Sequence, residues 1–250
     1  MMQQPEILAP AGSMEALKAA VRCGADAVYV GGTMYSARSS AANFDLAQLR
    51  QASDLCRLYG AKLYLTVNTL LTDTELTDFQ HYIQAAGPLV DACIVQDLGV
   101  LCTIRHVIPE MPLHASTQMS IHTPAGARQA HALGCNRVVA AREMSRTELA
   151  ALCREMPEVE VFVHGALCMS VSGQCSFSAL VGSRSANRGP CAQACRLPWH
   201  TPNGNNPAAL SLKDLSLVEH ADELRRMGVD SFKIEGRMKR PEYVAAAVTA

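Results

Sequence analysis

Four of the chain's ten cysteines fall within 28 residues, at Cys168, Cys175, Cys191 and Cys195, in the pattern C-x6-C-x15-C-x3-C. Thiolates gathered in this way are ligands for a soft metal ion or an iron–sulfur cluster, and four of them make an anionic site. The surrounding chain suits such a site. From Gly165 to Lys213 there is no Asp or Glu, while Arg184, Arg188, Arg196 and Lys213 supply positive charge and several glycines supply approachable N–H groups. Structural zinc sites usually use two short knuckles, and only Cys191–Cys195 has that spacing. Cys168–Cys175 is too wide for a knuckle but tolerable for a 4Fe–4S cube, whose iron corners stand farther apart than ligands on one ion. Spacing therefore favours the cluster and leaves zinc open. The other six cysteines (Cys23, Cys56, Cys93, Cys102, Cys135 and Cys153) lie on or beside helical and strand patterns and read as core packing.

These ligands need a scaffold, and composition allows a large one. The chain has 250 residues, 49% hydrophobic and 18% charged, enough for a sizeable core. A net charge of −1 gives no global field for nucleic acid or membrane, so any polyanion must be met by local cations. The start, MMQQPEILAP, lacks a basic segment followed by a long apolar run, and no apolar stretch is long enough to span a bilayer. Ten cysteines without an export signal point to a reducing cytoplasm. The last helix starts at Pro241-Glu242, runs YVAAAVTA and has no C-cap, which predicts a piece of a longer protein.

Short apolar runs alternate with amphipathic segments. Strands are expected at Ile7–Pro10, Ala27–Gly31, Lys62–Asn68, Ala92–Asp97, Leu113–Thr117, Arg137–Ala141, Glu160–His164, Leu210–Lys213 and Ser231–Glu235. Helices are expected at Met14–Cys23, Leu46–Tyr59, Thr74–Ala86, Leu98–Val107, Pro124–Leu133, Ser145–Met156 and Leu217–Met227, several closed by a glycine (Gly24, Gly60, Gly134, Gly228). Regular β-α alternation predicts an α/β fold, a (β/α)8 TIM-like barrel forming one domain over residues 1–250. Nine strands are one too many. Leu210–Lys213 is the expected extra, inside a cysteine-rich insertion of about residues 165–213 after strand seven. An open doubly wound sheet is the runner-up, but no Gly-rich phosphate turn follows the first strand.

In such a barrel the strands' C-terminal ends form the active face. Those positions carry Asn68, Gln96 with Asp97, Ser116-Thr117-Gln118, Arg142 with Glu143, His164, and Glu235 with Arg237. The small polar loop from Tyr35 to Phe44 adds Arg38 and Asn43 as substrate contacts. Arg188, beside the cysteines, is a candidate for phosphate contact. The G-x-S-x-G, H-E-x-x-H, P-loop and dinucleotide signatures are missing. A His164–Cys168 protease pair would use a cysteine that the centre needs.

The segment His164-Gly-Ala-Leu-Cys-Met-Ser-Val-Ser-Gly-Gln-Cys-Ser resembles the signature of the collagenase-like peptidase U32 family. Leu8-Ala-Pro-Ala-Gly-Ser, Ala27-Val-Tyr-Val-Gly-Gly, Asn187-Arg-Gly-Pro-Cys-Ala-Gln-Ala-Cys-Arg-Leu-Pro and Phe232-Lys-Ile-Glu-Gly-Arg-Met-Lys resemble it too, across nearly the whole chain. The form of the cysteine block is most similar to the ribosomal-RNA cytidine hydroxylation branch; relatives act on transfer-RNA uridine. The resemblance implies a barrel-like catalytic domain and a 4Fe–4S cluster on Cys168, Cys175, Cys191 and Cys195. It also implies prephenate as co-substrate, RNA as partner, and further C-terminal domains. On this expectation His164, Glu235 and Arg237 line the catalytic site, with Arg38, Asn43, Asn68, Gln118, Arg142 and Arg188 binding substrate. A peptidase with structural zinc, or a non-catalytic RNA-binding module, are the alternatives.

Overall fold

The computed structural model describes residues 4–38, 41–201, 204–206 and 208–250. Ser39 and Ser40 of the expected substrate loop, and the first three residues, lie outside them. In chain order the strands are β1 (Glu6–Ala11), β2 (Ala27–Gly31), β3 (Lys62–Val67), β4 (Ala92–Val95), β5 (Leu113–Ala115), β6 (Arg137–Val139), β7 (Val159–Ala166), β8 (Trp199–Thr201), β9 (Gly204–Asn206), β10 (Asp214–Ser216) and β11 (Ser231–Ile234). The helices are α1 (Met14–Arg22), α2 (Leu46–Leu58), α3 (Leu76–Ala86), α4 (Leu98–Val107), α5 (Pro124–Ala132), α6 (Arg146–Glu155), α7 (Phe177–Gly182), α8 (Ala221–Met227) and α9 (Pro241–Thr249).

Strands β1 to β7 pair in sequence and in parallel, β11 pairs with both β7 and β1, and the ring closes. This is the expected eight-stranded parallel barrel. Polar side chains start the helices: Ser13, Asp45, Asp97, Thr123 and Ser145 each accept a first-turn backbone N–H. Gly24, Gly60, Gly134 and Gly228 follow helix ends with positive φ, as an αL stop requires. Among the described residues no helix is long and apolar enough to cross a membrane.

The extra strand lies elsewhere than expected. Leu210–Lys213 is turn and coil, and the added strand is β10, antiparallel to the far end of β7. Beside it, β8 and β9 form a separate hairpin that the sequence pattern did not signal. Core packing accounts for Cys56, Cys93 and Cys135, which are buried, but Cys102 is exposed on the outer face of α4.

Two cores result. One fills the space between strands and helices, with Leu17, Leu49, Phe79, Ile83, Leu101 and Leu152 at its centre. The other, inside the barrel, is small: Leu8, Ala27, Tyr29, Tyr64, Ala92 and Ile94. Below them the barrel interior holds ions. Glu160 is fully buried and pairs with Lys233 Nζ at 2.7 Å and Arg137 at 3.1 Å. Arg137 also reaches Glu6 at 2.5 Å, and Tyr64 donates to Glu6 at 2.7 Å. Burial alone would raise the Glu160 carboxyl, but Lys233 and Arg137 hold it below its usual range, so both acids stay charged against both cations.

Candidate functional site

A cavity of about 310 Å³ opens at the C-terminal mouth of the barrel. Side-chain alternation decides what faces it. On β11 and its extension, Ser231, Lys233 and Glu235 turn inward while Phe232 packs in the outer core. On β2 the inward residue is Tyr29, whose hydroxyl donates to Ile234 O at 2.9 Å, and on β7 it is Phe162. Thr66 and Asn68, Ser116 to Gln118, Arg142 and Arg237 complete the barrel's share. The insertion supplies the roof, and all four clustered cysteines line the same cavity.

Charge is concentrated at its centre. Glu235 accepts from Arg142 at 2.5 Å and stands 3.8 Å from Arg38. Burial would raise its carboxyl, yet Arg38, Arg142 and Arg237 hold it at about 2. Arg142 lies over the Phe162 ring at 3.9 Å, and its Nε has no hydrogen-bond partner among the described residues. Arg237 donates to Ser36 Oγ at 2.8 Å, Thr66 Oγ1 at 3.2 Å and Ala37 O. Burial, reinforced by Arg38, pulls its guanidinium down to about 10, still charged at neutral pH. Lys233 is neutralised by Glu160 beneath it. Among these side chains three guanidinium charges face one carboxylate, an excess of positive charge that suits anionic groups in the cavity.

The cysteine-bearing chain is tied to the rim through Glu143 and braced internally by Asn187 and Arg196. Glu143 accepts from Ser172 N at 2.7 Å and Ser172 Oγ at 2.8 Å. Asn187 donates to Gly173 O at 2.9 Å, and Arg196 donates to Leu167 O at 2.7 Å and Ser211 Oγ at 2.8 Å. All ten cysteines are free thiols. Burial raises the Cys195 thiol, and Cys168 and Cys191 add to the rise by their proximity, with Arg196 opposing. Among the described residues no three His, Cys, Asp or Glu side chains stand in a geometry that grips a metal ion. The donor set nevertheless fits a soft centre: four free thiols on one cavity wall, with Arg38 and Arg196 near them and no competing carboxylate in the insertion.

The structure brings Arg38, Asn68, Gln118, Arg142, Glu235 and Arg237 to this cavity with the cysteines. Asn68 holds the site together by accepting from Ala37 N at 3.1 Å and donating to Gln118 at 2.8 Å. Three expected residues lie elsewhere. His164 is outside the cavity, its ring 5.7 Å from that of Tyr243. The cause is an irregularity in β7, where Phe162 pairs with Lys233 but His164 pairs with Ile234, so the skipped residue reverses the alternation. Arg188 is committed to Glu75 at 2.7 Å and Leu70 O at 3.0 Å, clamping the insertion to the loop before α3. Asn43 supports the loop by donating to Arg38 O at 3.4 Å and does not line the cavity. Tyr29, Phe162 and Lys233 were missed as site residues, although their strand parity was available.

Residues 12–250 match peptidase family U32. The chain is 39% identical over 261 residues to tRNA hydroxylation protein P1 of Bacillus subtilis, covering 99% of this chain and 62% of that protein. It is 40% identical over 247 residues to a 23S rRNA 5-hydroxycytidine synthase of Escherichia coli, covering 96% of this chain and 37% of that one. The chain thus spans less than two thirds of the length of either relative. A solved U32 peptidase superposes with a TM-score of 0.64 at 12% identity, covering 96% of both chains, a likeness of fold.

Proposed function

The chain belongs to peptidase family U32, and we propose that it is the iron–sulfur barrel domain of an enzyme that hydroxylates an RNA base with prephenate as co-substrate. One observation carries this reading: the four clustered cysteines and the Arg38, Arg142, Arg237 and Glu235 group line a single cavity. Cys168, Cys175, Cys191 and Cys195 would hold a 4Fe–4S cluster, which supplies one-electron chemistry. Prephenate carries two carboxylates, and Arg38, Arg142 and Arg237 give the cavity guanidinium groups to meet them. Arg38 and Arg142, already paired to a carboxylate in Glu235, are placed to receive and orient those of the co-substrate. Arg142, stacked on Phe162, presents a planar guanidinium of the kind on which an unstacked base rests. The insertion, seated on the rim by Glu143 and Arg188 and braced internally by Asn187 and Arg196, roofs the cavity.

The relatives act on ribosomal and transfer RNA by name. A cytidine of ribosomal RNA is the leading substrate for this chain and a transfer-RNA uridine the second. Both substrates, and thiol ligation itself, suit a reducing cytoplasm. A peptidase reading would need a base beside a nucleophile, and His164 lies against Tyr243 instead. Mass spectrometry of both RNA classes from cells with and without the gene tests the proposal. Loss of one hydroxylated pyrimidine, restored by the wild-type gene and not by Cys191→Ala, is expected. Unchanged hydroxycytidine and hydroxyuridine would refute it, and restoration by Cys191→Ala would make the centre purely structural.

A further inference from the structure

The loop leaving β6 carries two adjacent charged residues with different tasks. Arg142 turns into the cavity and pairs with Glu235. Glu143, the next residue, stays outside the cavity and closes on Ser172 of its wall, four residues after Cys168 and three before Cys175. Both of its oxygens are used: Oε1 accepts the Ser172 N–H at 2.7 Å and meets His122 Nε2 at 2.7 Å, while Oε2 accepts the Ser172 hydroxyl at 2.8 Å. Further bonds close around the same serine. Ser120 Oγ donates to Ser172 O at 2.5 Å, and Gln174 donates back to Ser120 Oγ at 2.9 Å. His122 is itself anchored through Nδ1 to Ser120 O at 2.7 Å.

The contact is built rather than incidental. Ser172 is 6% exposed, which is unusual for a serine in a polar loop at the rim. Gly173 has φ +75°, and a Cβ there would lie 2.1 Å from Gln118 O, so the chain approaches the rim as closely as a backbone can. Burial would raise the Glu143 carboxyl, but the bonds from His122 and Ser172 hold it at about 2, so it is a charged acceptor at neutral pH.

We propose that Glu143 is a positioning residue that seats the Cys168–Cys175 segment on the cavity, so that one two-residue step of chain, Arg142-Glu143, holds both the anion site and the first two thiols. The role rests on reading the four cysteines as one ligand set, and its test does not require the metal.

Alkylation rates of individual cysteines in metal-free protein, followed by mass spectrometry, read the seating directly. In Glu143→Ala, Cys175, half-buried in the intact fold, reacts about tenfold faster or more, as expected when a charged acceptor with two bonds to one residue is lost, while Cys168, already exposed, changes little. Cys191, Cys195 and the exposed Cys102 keep their wild-type rates. Glu143→Gln, which can still accept the Ser172 N–H, falls between the two and serves if the alanine variant does not fold. In reconstituted protein the alanine variant also releases iron to a chelator about tenfold faster. An unchanged rate at Cys175, or an equal rise at Cys175, Cys191 and Cys195, would overturn the proposal. A wild-type protein that takes up no iron would sink the cluster reading alone, and the alkylation rates would still decide the role of Glu143.

Discussion

Glu235→Gln is the sharpest perturbation of the cavity, because it removes a charge and almost no volume. The wild-type carboxyl is held at about 2 against an ordinary value of 4.5. That difference favours the ionised form by about 3 kcal/mol, since each tenfold step is worth about 1.4 kcal/mol. The side chain is only 16% exposed, so solvent screening removes little of this. The same figure follows from the other side: deleting one partner of a buried ion pair costs about 3–5 kcal/mol. For a chain of this length, about 2–4 °C of Tm accompanies each kcal/mol, so the variant should melt about 6–12 °C lower at pH 7. The pH dependence has a definite sign. A carboxylate whose folded pKa is depressed stabilises above its unfolded value near 4.5, and that stability disappears as the pH falls toward 2. Thermal melts by circular dichroism between pH 7 and pH 3 should therefore show a gap between the two proteins that is constant above about pH 5 and narrows below it. A gap under about 1 °C at pH 7, or one that widens on acidification, would refute the charge balance assigned to the cavity.

Further outcomes follow from other parts of the structure. Glu160→Ala leaves Lys233 and Arg137 buried without their shared partner, so urea denaturation should show a loss of about 3–5 kcal/mol; a loss below about 1 kcal/mol would mean the barrel floor is hydrated. Gly173→Ala must place a Cβ on the backbone oxygen of Gln118 at positive φ, which should undock the insertion and accelerate proteolysis between Cys168 and Cys191 while the barrel's Tm changes little. Cleavage at the wild-type rate would contradict that packing. His164→Ala, at a ring that faces Tyr243 rather than the cavity, should leave RNA hydroxylation in complemented cells within about twofold of wild type; loss of activity with normal folding would return His164 to the site.

The barrel was legible because each level of the sequence agreed with the next. Apolar runs such as Ala27–Gly31 lie between glycine-stopped helices, and inward polar positions recur every second residue from Ser231 to Glu235. Spacing and the lack of acids singled out Cys168, Cys175, Cys191 and Cys195, and the fold gathers the four on one cavity. What stayed hidden depended on long-range partners or on broken alternation. Arg188 resembled a phosphate ligand until Glu75, far away in sequence, was found to hold it. His164 sits two residues after the inward Phe162, and only the register shift against β11 turns it out. The added strand was placed a few residues early because Leu210–Lys213 has the apolar content, whereas Asp214–Ser216 has the free edge of β7 to pair with. Cys102 follows the helical pattern of α4 but falls on its outer side, between the buried Leu101 and Ile104.

The central claim is that Cys168, Cys175, Cys191 and Cys195 hold one iron–sulfur centre over the arginine-lined cavity. Anaerobic purification followed by iron, sulfide and zinc analysis of the wild type and Cys191→Ala tests it most directly. A brown protein with about four iron and four sulfide per chain, lost in Cys191→Ala while the barrel's circular dichroism is kept, is the predicted result. A colourless protein carrying one zinc per chain, or iron retained without Cys191, would contradict it.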